Sequence, residues 1–214
     1  MRKDKFDITN GLYLVIDPSI PKTELLPKLQ GAIAGGVNIV QIWNNWQIGA
    51  DRTTIISEIA AITRANNVPL LANEQLDLIN NALIDGFHFD NMPTGVNAIR
   101  QTATRPLIIG ITCGNNFNKI EKAVQEQVDY LSFCSVFPST SVATCDIVSR
   151  DIIRATRSFT DMPIFLSGGI TPINLNELRS TGLNGIAVIS GIMASAETEL
   201  AARTYKQALI NLNN

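Results

Sequence analysis

Short, continuously apolar runs alternate along this chain with longer segments whose apolar positions recur every three or four residues. Eight runs stand out, at 12–16, 37–42, 68–72, 86–89, 107–111, 129–133, 164–167 and 185–189. Most lack polar alternation, so they read as strands covered on both faces. Helical patterns fill the intervals at 22–34, 52–65, 75–83, 96–102, 118–127, 146–158, 172–180 and 197–212. Ile55, Ile56, Ile59, Ala60 and Ile62 give the second helix an apolar stripe of the right period. Pro172 suits the first turn of the seventh, with Thr171 as its cap. Eight strand-helix units predict an α/β chain folded as a (β/α)8 (TIM) barrel, one domain over residues 1–214. A doubly wound sheet would carry a glycine-rich nucleotide turn after the first strand, and Asp17-Pro18-Ser19-Ile20-Pro21 has no glycine.

Composition narrows the function classes. Hydrophobic residues make up 45% and charged residues 17% of 214, enough for a large core and too apolar for a disordered chain. Seventeen basic and nineteen acidic side chains leave a net charge of −2 without a basic cluster, so nucleic acid is not an expected partner. The basic start, Met1-Arg2-Lys3-Asp4-Lys5, leads into no long apolar run, and no run reaches the roughly 18 residues of a membrane span. Cys113, Cys134 and Cys145 are too few and too scattered for a disulfide framework or a common zinc spacing. The expected location is the cytoplasm.

Candidate chemistry collects where strands end. The stretch Pro163-Ile164-Phe165-Leu166-Ser167-Gly168-Gly169-Ile170-Thr171 is echoed by Gly185-Ile186-Ala187-Val188-Ile189-Ser190-Gly191. Small residues between strand and helix expose backbone N–H groups, and the following helix start adds partial positive charge, which suits a phosphate. Barrel active sites are built at the C-terminal ends of the strands. Here those positions hold Asp17, Gln41 with Trp43 and Asn45, Asn73 with Glu74, Asp90 with Asn91, Thr112, residues 135–141, Gly168 with Gly169, and Ser190.

An ordered set of segments carries a family resemblance: Gly35-Gly36-Val37 before Val40-Gln41, Pro69-Leu70-Leu71-Ala72-Asn73, Asp85-Gly86-Phe87-His88, Asp129-Tyr130, Phe137-Pro138-Ser139-Thr140-Ser141, Gly168-Gly169-Ile170 and Ile186-Ala187-Val188-Ile189-Ser190. Over about residues 12–202 the chain resembles the thiamine-phosphate synthase and thiazole tautomerase superfamily. The resemblance implies a transferase of thiamine biosynthesis that joins hydroxymethylpyrimidine diphosphate to a thiazole phosphate and releases pyrophosphate. It places the thiazole phosphate at Gly168, Gly169, Ile189 and Ser190, and the thiazole at Ser139 and Ser141. Gln41 matches the glutamine that meets the pyrimidine, Asn73 an asparagine near the diphosphate, and Thr112 a position where serine usually lies. Magnesium is implied too, with Glu74 at the first of its two aspartate positions.

Several positions depart from the family pattern. Gln-x-Arg-x-Lys after the second strand reads Gln41-Ile42-Trp43-Asn44-Asn45, and Asn-Asp-Arg reads Asn73-Glu74-Gln75. A lysine after the hydroxyl loop falls at Val142 or Ala143, and the second magnesium aspartate aligns near Pro93. Two alternatives follow: a synthase of weakened activity, or a non-catalytic barrel that binds a phosphorylated heterocycle. The tautomerase branch fits less well, because Ser135 stands where its histidine lies. His88, the one histidine, reads as a core residue within the fourth strand, and Cys134 as a buried thiol. Trp43 and Trp46 offer flat apolar surface either to a stacked heterocycle or to a contact between copies in a homo-oligomer.

Overall fold

The computed structural model describes residues 6–138 and 146–213. Eight parallel strands close into a barrel in chain order: β1 (Gly11–Ile16), β2 (Ile39–Ile42), β3 (Leu70–Asn73), β4 (Gly86–Phe89), β5 (Ile108–Thr112), β6 (Tyr130–Cys134), β7 (Ile164–Ser167) and β8 (Gly185–Val188). Closure is made where Leu14 of β1 lies between Val40 of β2 and Val188 of β8. Around the barrel run α1 (Lys22–Ala34), α2 (Arg52–Ala65), α3 (Val96–Thr102), α4 (Phe117–Gln125), α5 (Arg150–Phe159), the short α6 (Ser190–Met193) and α7 (Thr198–Asn213). Among the described residues no helix is long and apolar enough to cross a membrane.

Side chains alternate along each strand, and the alternation builds two cores. Leu12, Leu14, Ile16, Val40, Ile42, Leu70, Phe87, Ile109, Leu131 and Leu166 face outward into the layer shared with the helices. Truncating one of these fully buried leucines to alanine costs about 2–5 kcal/mol. Tyr13, Val15, Ile39, Leu71, Tyr130 and Phe165 fill the barrel itself, joined by Phe6 and Ile8 from ahead of β1. Tyr13, Tyr130 and Phe165 meet edge to face, with centroids 5.4–5.9 Å apart. Gly110 makes room for them: a Cβ there would fall 1.9 Å from the Tyr130 ring.

Helix starts follow local chemistry. Asp51, Asn116 and Ser149 each accept a backbone N–H from the first turn of α2, α4 and α5. Two expected helices are corrected. Residues 75–83 form only a 3-10 turn at Leu76–Leu78, because Glu74 takes a left-handed backbone and the Asn81 side chain accepts Leu83 N–H, which organises a turn. Residues 172–180 give a 3-10 segment at Leu175–Thr181. There Thr171 does not cap a helix at Pro172; it exchanges hydrogen bonds with Asn174, whose side chain accepts Thr171 N–H at 2.8 Å.

Candidate functional site

Above the aromatic layer the barrel interior turns polar. Tyr13 Oη donates to Gln41 Oε1 at 2.5 Å and lies 3.0 Å from Tyr130 Oη. Tyr130 Oη is 2.8 Å from His88 Nδ1, and His88 Nε2 is 2.9 Å from Thr112 Oγ1. One continuous chain of buried polar groups therefore links β2, β1, β6, β4 and β5. Burial pushes both tyrosine hydroxyls well above their ordinary range. It pushes His88 down to about 4 despite the opposing field of Asp90, so the imidazole is neutral near pH 7. Two of the expected site residues, Gln41 and Thr112, are thus the two ends of one network.

Asn73, the third, begins a second network at the end of β3. Its Nδ2 donates to Asp90 Oδ2 at 3.2 Å and to the His88 carbonyl at 3.3 Å. Glu74 follows with φ +59°, a conformation that non-glycine residues hold only when their surroundings impose it. The restraint is visible: Glu74 Oε1 accepts the N–H groups of Asp90 at 2.7 Å and Asn91 at 3.2 Å. Both of these bonds fall on Oε1. Among the described residues no three metal-ligating side chains gather. Magnesium typically takes one or two carboxylates and fills its shell with water and substrate phosphate, so the donors suit an ion that arrives with a diphosphate rather than a caged one.

Cations do reach this rim, from helices rather than strand ends. Lys119 on α4 donates to the Asp90 carbonyl at 2.6 Å. Arg52 on α2 lies over the Trp46 ring, 5.4 Å from its centroid, and bonds Gln75 Oε1 at 2.8 Å and Asp77 at 3.0 Å. Trp46 Nε1 donates to the same Gln75 oxygen at 2.7 Å. Trp43 keeps 38% of its surface exposed, while Asn45 is held by Asp17 Oδ2 at 3.0 Å.

Across the mouth the elements are backbone. Gly168 and Gly169 have φ +87° and +65°, open to glycine alone without strain. A Cβ on Gly168 would strike Ser135, and one on Gly169 would lie 2.3 Å from the Pro138 carbonyl. This loop therefore packs directly on the end of β6, where Phe137 N–H donates to the Gly168 carbonyl. Tyr205 of α7 holds the next residue through the Ile170 carbonyl at 3.0 Å. Ile189 and Ser190 carry β8 into α6. Ser139 and Ser141, with Val142 and Ala143, lie outside the described residues.

Cys134 is only partly buried, a correction to its expected place, because it ends β6 beside the mouth, with Sγ 3.4 Å from Ser135 Oγ. Sequence reasoning missed Tyr13, Tyr130, Lys119, Arg52 and Tyr205. Tyr13 carried a signal, a phenol inside an otherwise aliphatic strand, since a buried hydroxyl needs a partner. For the helix-borne cations no local signal exists.

The thiamine monophosphate synthase family model matches residues 12–192. The thiamine-phosphate synthase of Clostridium tetani is 30% identical over 202 residues, covering 94% of this chain and 95% of that one. Its counterpart in Clostridium botulinum (strain Loch Maree) is 31% identical over 198 residues, 92% and 96% of the two chains. Among solved structures, thiamine phosphate pyrophosphorylase from Pyrococcus furiosus superposes with a TM-score of 0.82 at 22% identity, over 96% of this chain and 98% of that one, a likeness of fold.

Proposed function

The chain belongs to the thiamine monophosphate synthase family, and from that premise we propose that it joins hydroxymethylpyrimidine diphosphate to a thiazole phosphate with release of pyrophosphate. The observation that carries the reading is the meeting of Gln41, Asn73 and Thr112 in linked polar networks at the end of the barrel that also holds the Gly168–Gly169 loop. In this reading Gln41 contacts the pyrimidine and Asn73 the diphosphate. Thr112 stands at the other end of the hydrogen-bonded chain from Gln41, and the thiazole phosphate rests on the backbone of Gly168, Gly169, Ile189 and Ser190. Ser139 and Ser141 are assigned to the thiazole by resemblance alone. Magnesium, carried in on the diphosphate and met by Glu74, would neutralise the leaving pyrophosphate. Lys119 and Arg52 are cations that bond residues of that rim, and each charge-assisted contact contributes about 1.5–3 kcal/mol. The free thiols Cys113 and Cys134 are in keeping with a reducing compartment such as the cytoplasm.

A second reading, a barrel that binds a phosphorylated heterocycle without turning it over, draws on Trp43 and Asn45, which put no charge where the family pattern has two. One assay separates the readings. Purified protein receives both substrates with magnesium, and thiamine phosphate is measured. Turnover is expected, and Ser190→Asp should lower it by about a hundredfold by setting a carboxylate against the substrate phosphate. No turnover under conditions where an authentic synthase works would leave the binding reading in its place.

A further inference from the structure

The direction of each hydrogen bond in the buried chain follows from counting protons. Tyr13 spends its single hydroxyl proton on Gln41 Oε1 at 2.5 Å. Toward Tyr130, 3.0 Å away, it can therefore only accept, so Tyr130 donates. Tyr130 then has no proton for His88 Nδ1 at 2.8 Å, and the proton between them belongs to the imidazole. The other ring nitrogen of a neutral imidazole is bare, so Nε2 accepts from Thr112 Oγ1 at 2.9 Å. Every member is satisfied and every donor points the same way, from Thr112 to Gln41. Aligned chains of this kind strengthen one another, and reversal requires all the protons and the amide to turn together.

Among the described residues Gln41 makes no other side-chain hydrogen bond, although 94% of its surface is covered (6% exposed). With its carbonyl turned onto Tyr13, the amide is held in one orientation, and its N–H donors are the groups turned away from that bond. We infer that Tyr13, Tyr130 and His88 are positioning residues: their ordered hydrogen bonds lock the Gln41 amide so that it presents Nε2–H to the barrel mouth and selects a heterocycle with an unprotonated ring nitrogen. The inference deepens the proposed reaction, resting on Gln41 as the pyrimidine contact, and it sets a donor rather than an acceptor of the amide against the ring, which disfavours a ring N–H at that contact. A lactam tautomer or a protonated ring would set donor against donor, and an unpaired polar group in a dry site costs more than a missing contact.

His88 is the one histidine, so protein labelled with 15N-histidine reports the order directly. The expected spectrum has a proton-bearing Nδ1 and a pyridine-like Nε2; a proton on Nε2 overturns the inference. This result does not depend on any activity. The second measurement compares the pyrimidine diphosphate with an analogue in which the ring nitrogen is replaced by C–H. Native protein should prefer the nitrogen compound by about tenfold in KM. Tyr13→Phe keeps the ring and removes the last donor, so KM for the pyrimidine should rise about tenfold while kcat changes by less than about twofold, and the preference should shrink. Equal preference in both proteins would overturn the inference. Tyr130→Phe, which leaves Tyr13 its own proton, should shift KM less. If the native protein forms no thiamine phosphate, the same comparison is made by calorimetric binding, and it is the proposed reaction that falls.

Discussion

On the β7–β8 side of the mouth the rim is main chain, held at φ +87° and +65° and packed so that no side chain fits at Gly168 or Gly169. On the β2–β3 side it is made of side chains, and each is held by another group: Asn45 by Asp17, Gln75 by Arg52 and Trp46, Glu74 by the amides of Asp90 and Asn91. A backbone site depends on two residues having no Cβ, and almost any other change leaves it intact. A side-chain site depends on every identity in it. The chain has kept the first in the family's form and rebuilt the second, with tryptophan, asparagine and glutamine where the pattern has arginine and lysine.

The comparison is broken most severely at Gly169. Gly169→Ala needs a left-handed alanine and a carbonyl to move from 2.3 Å. The strain is about 1–3 kcal/mol before any clash, so the melting temperature should fall by roughly 5–10 °C and thiazole phosphate affinity by more than about a hundredfold. Retained affinity would show that the phosphate does not use this backbone.

Acid should separate the halves next. His88 titrates near 6.5 in an unfolded chain and is held down to about 4 in the fold, so the unfolded state takes up a proton first as pH falls. Stability is therefore full above about pH 6.5 and drops toward pH 4, by on the order of 2–3 kcal/mol. Denaturant melts at several pH values should show this fall in the native protein and lose most of it in His88→Asn. The smallest effect is a gain. Trp43→Arg with Asn45→Lys returns two charges to an exposed rim, where solvent screens them, so diphosphate affinity measured by calorimetry should rise only several-fold. A larger gain would mean that the rim is drier than its exposure implies.

All eight strands were legible because a doubly covered strand is a continuous apolar run, and 86–89 and 164–167 coincide with β4 and β7 to the residue. The helix expected at 75–83 was not, since the bond from Leu83 N–H to Asn81 and the backbone of Glu74 are local competitors that a periodicity count does not weigh. Within the site, strand-end positions could be read from the chain because the fold lines them up at one end. Arg52 and Lys119 could not, because a helix residue reaches the mouth only through the packing of its helix. Tyr13, Tyr130 and His88 sit in three separate runs, and their partnership exists only after the barrel closes.

Tyr205 ties α7 to the Ile170 carbonyl, and the same helix lies along α1, where Ala202 and Glu199 crowd Gly35. The last helix thus fastens the first helix and the seventh strand's loop at once. A shift of α7 would therefore be felt at two separated places at once, the turn that ends α1 and the glycine loop that follows β7.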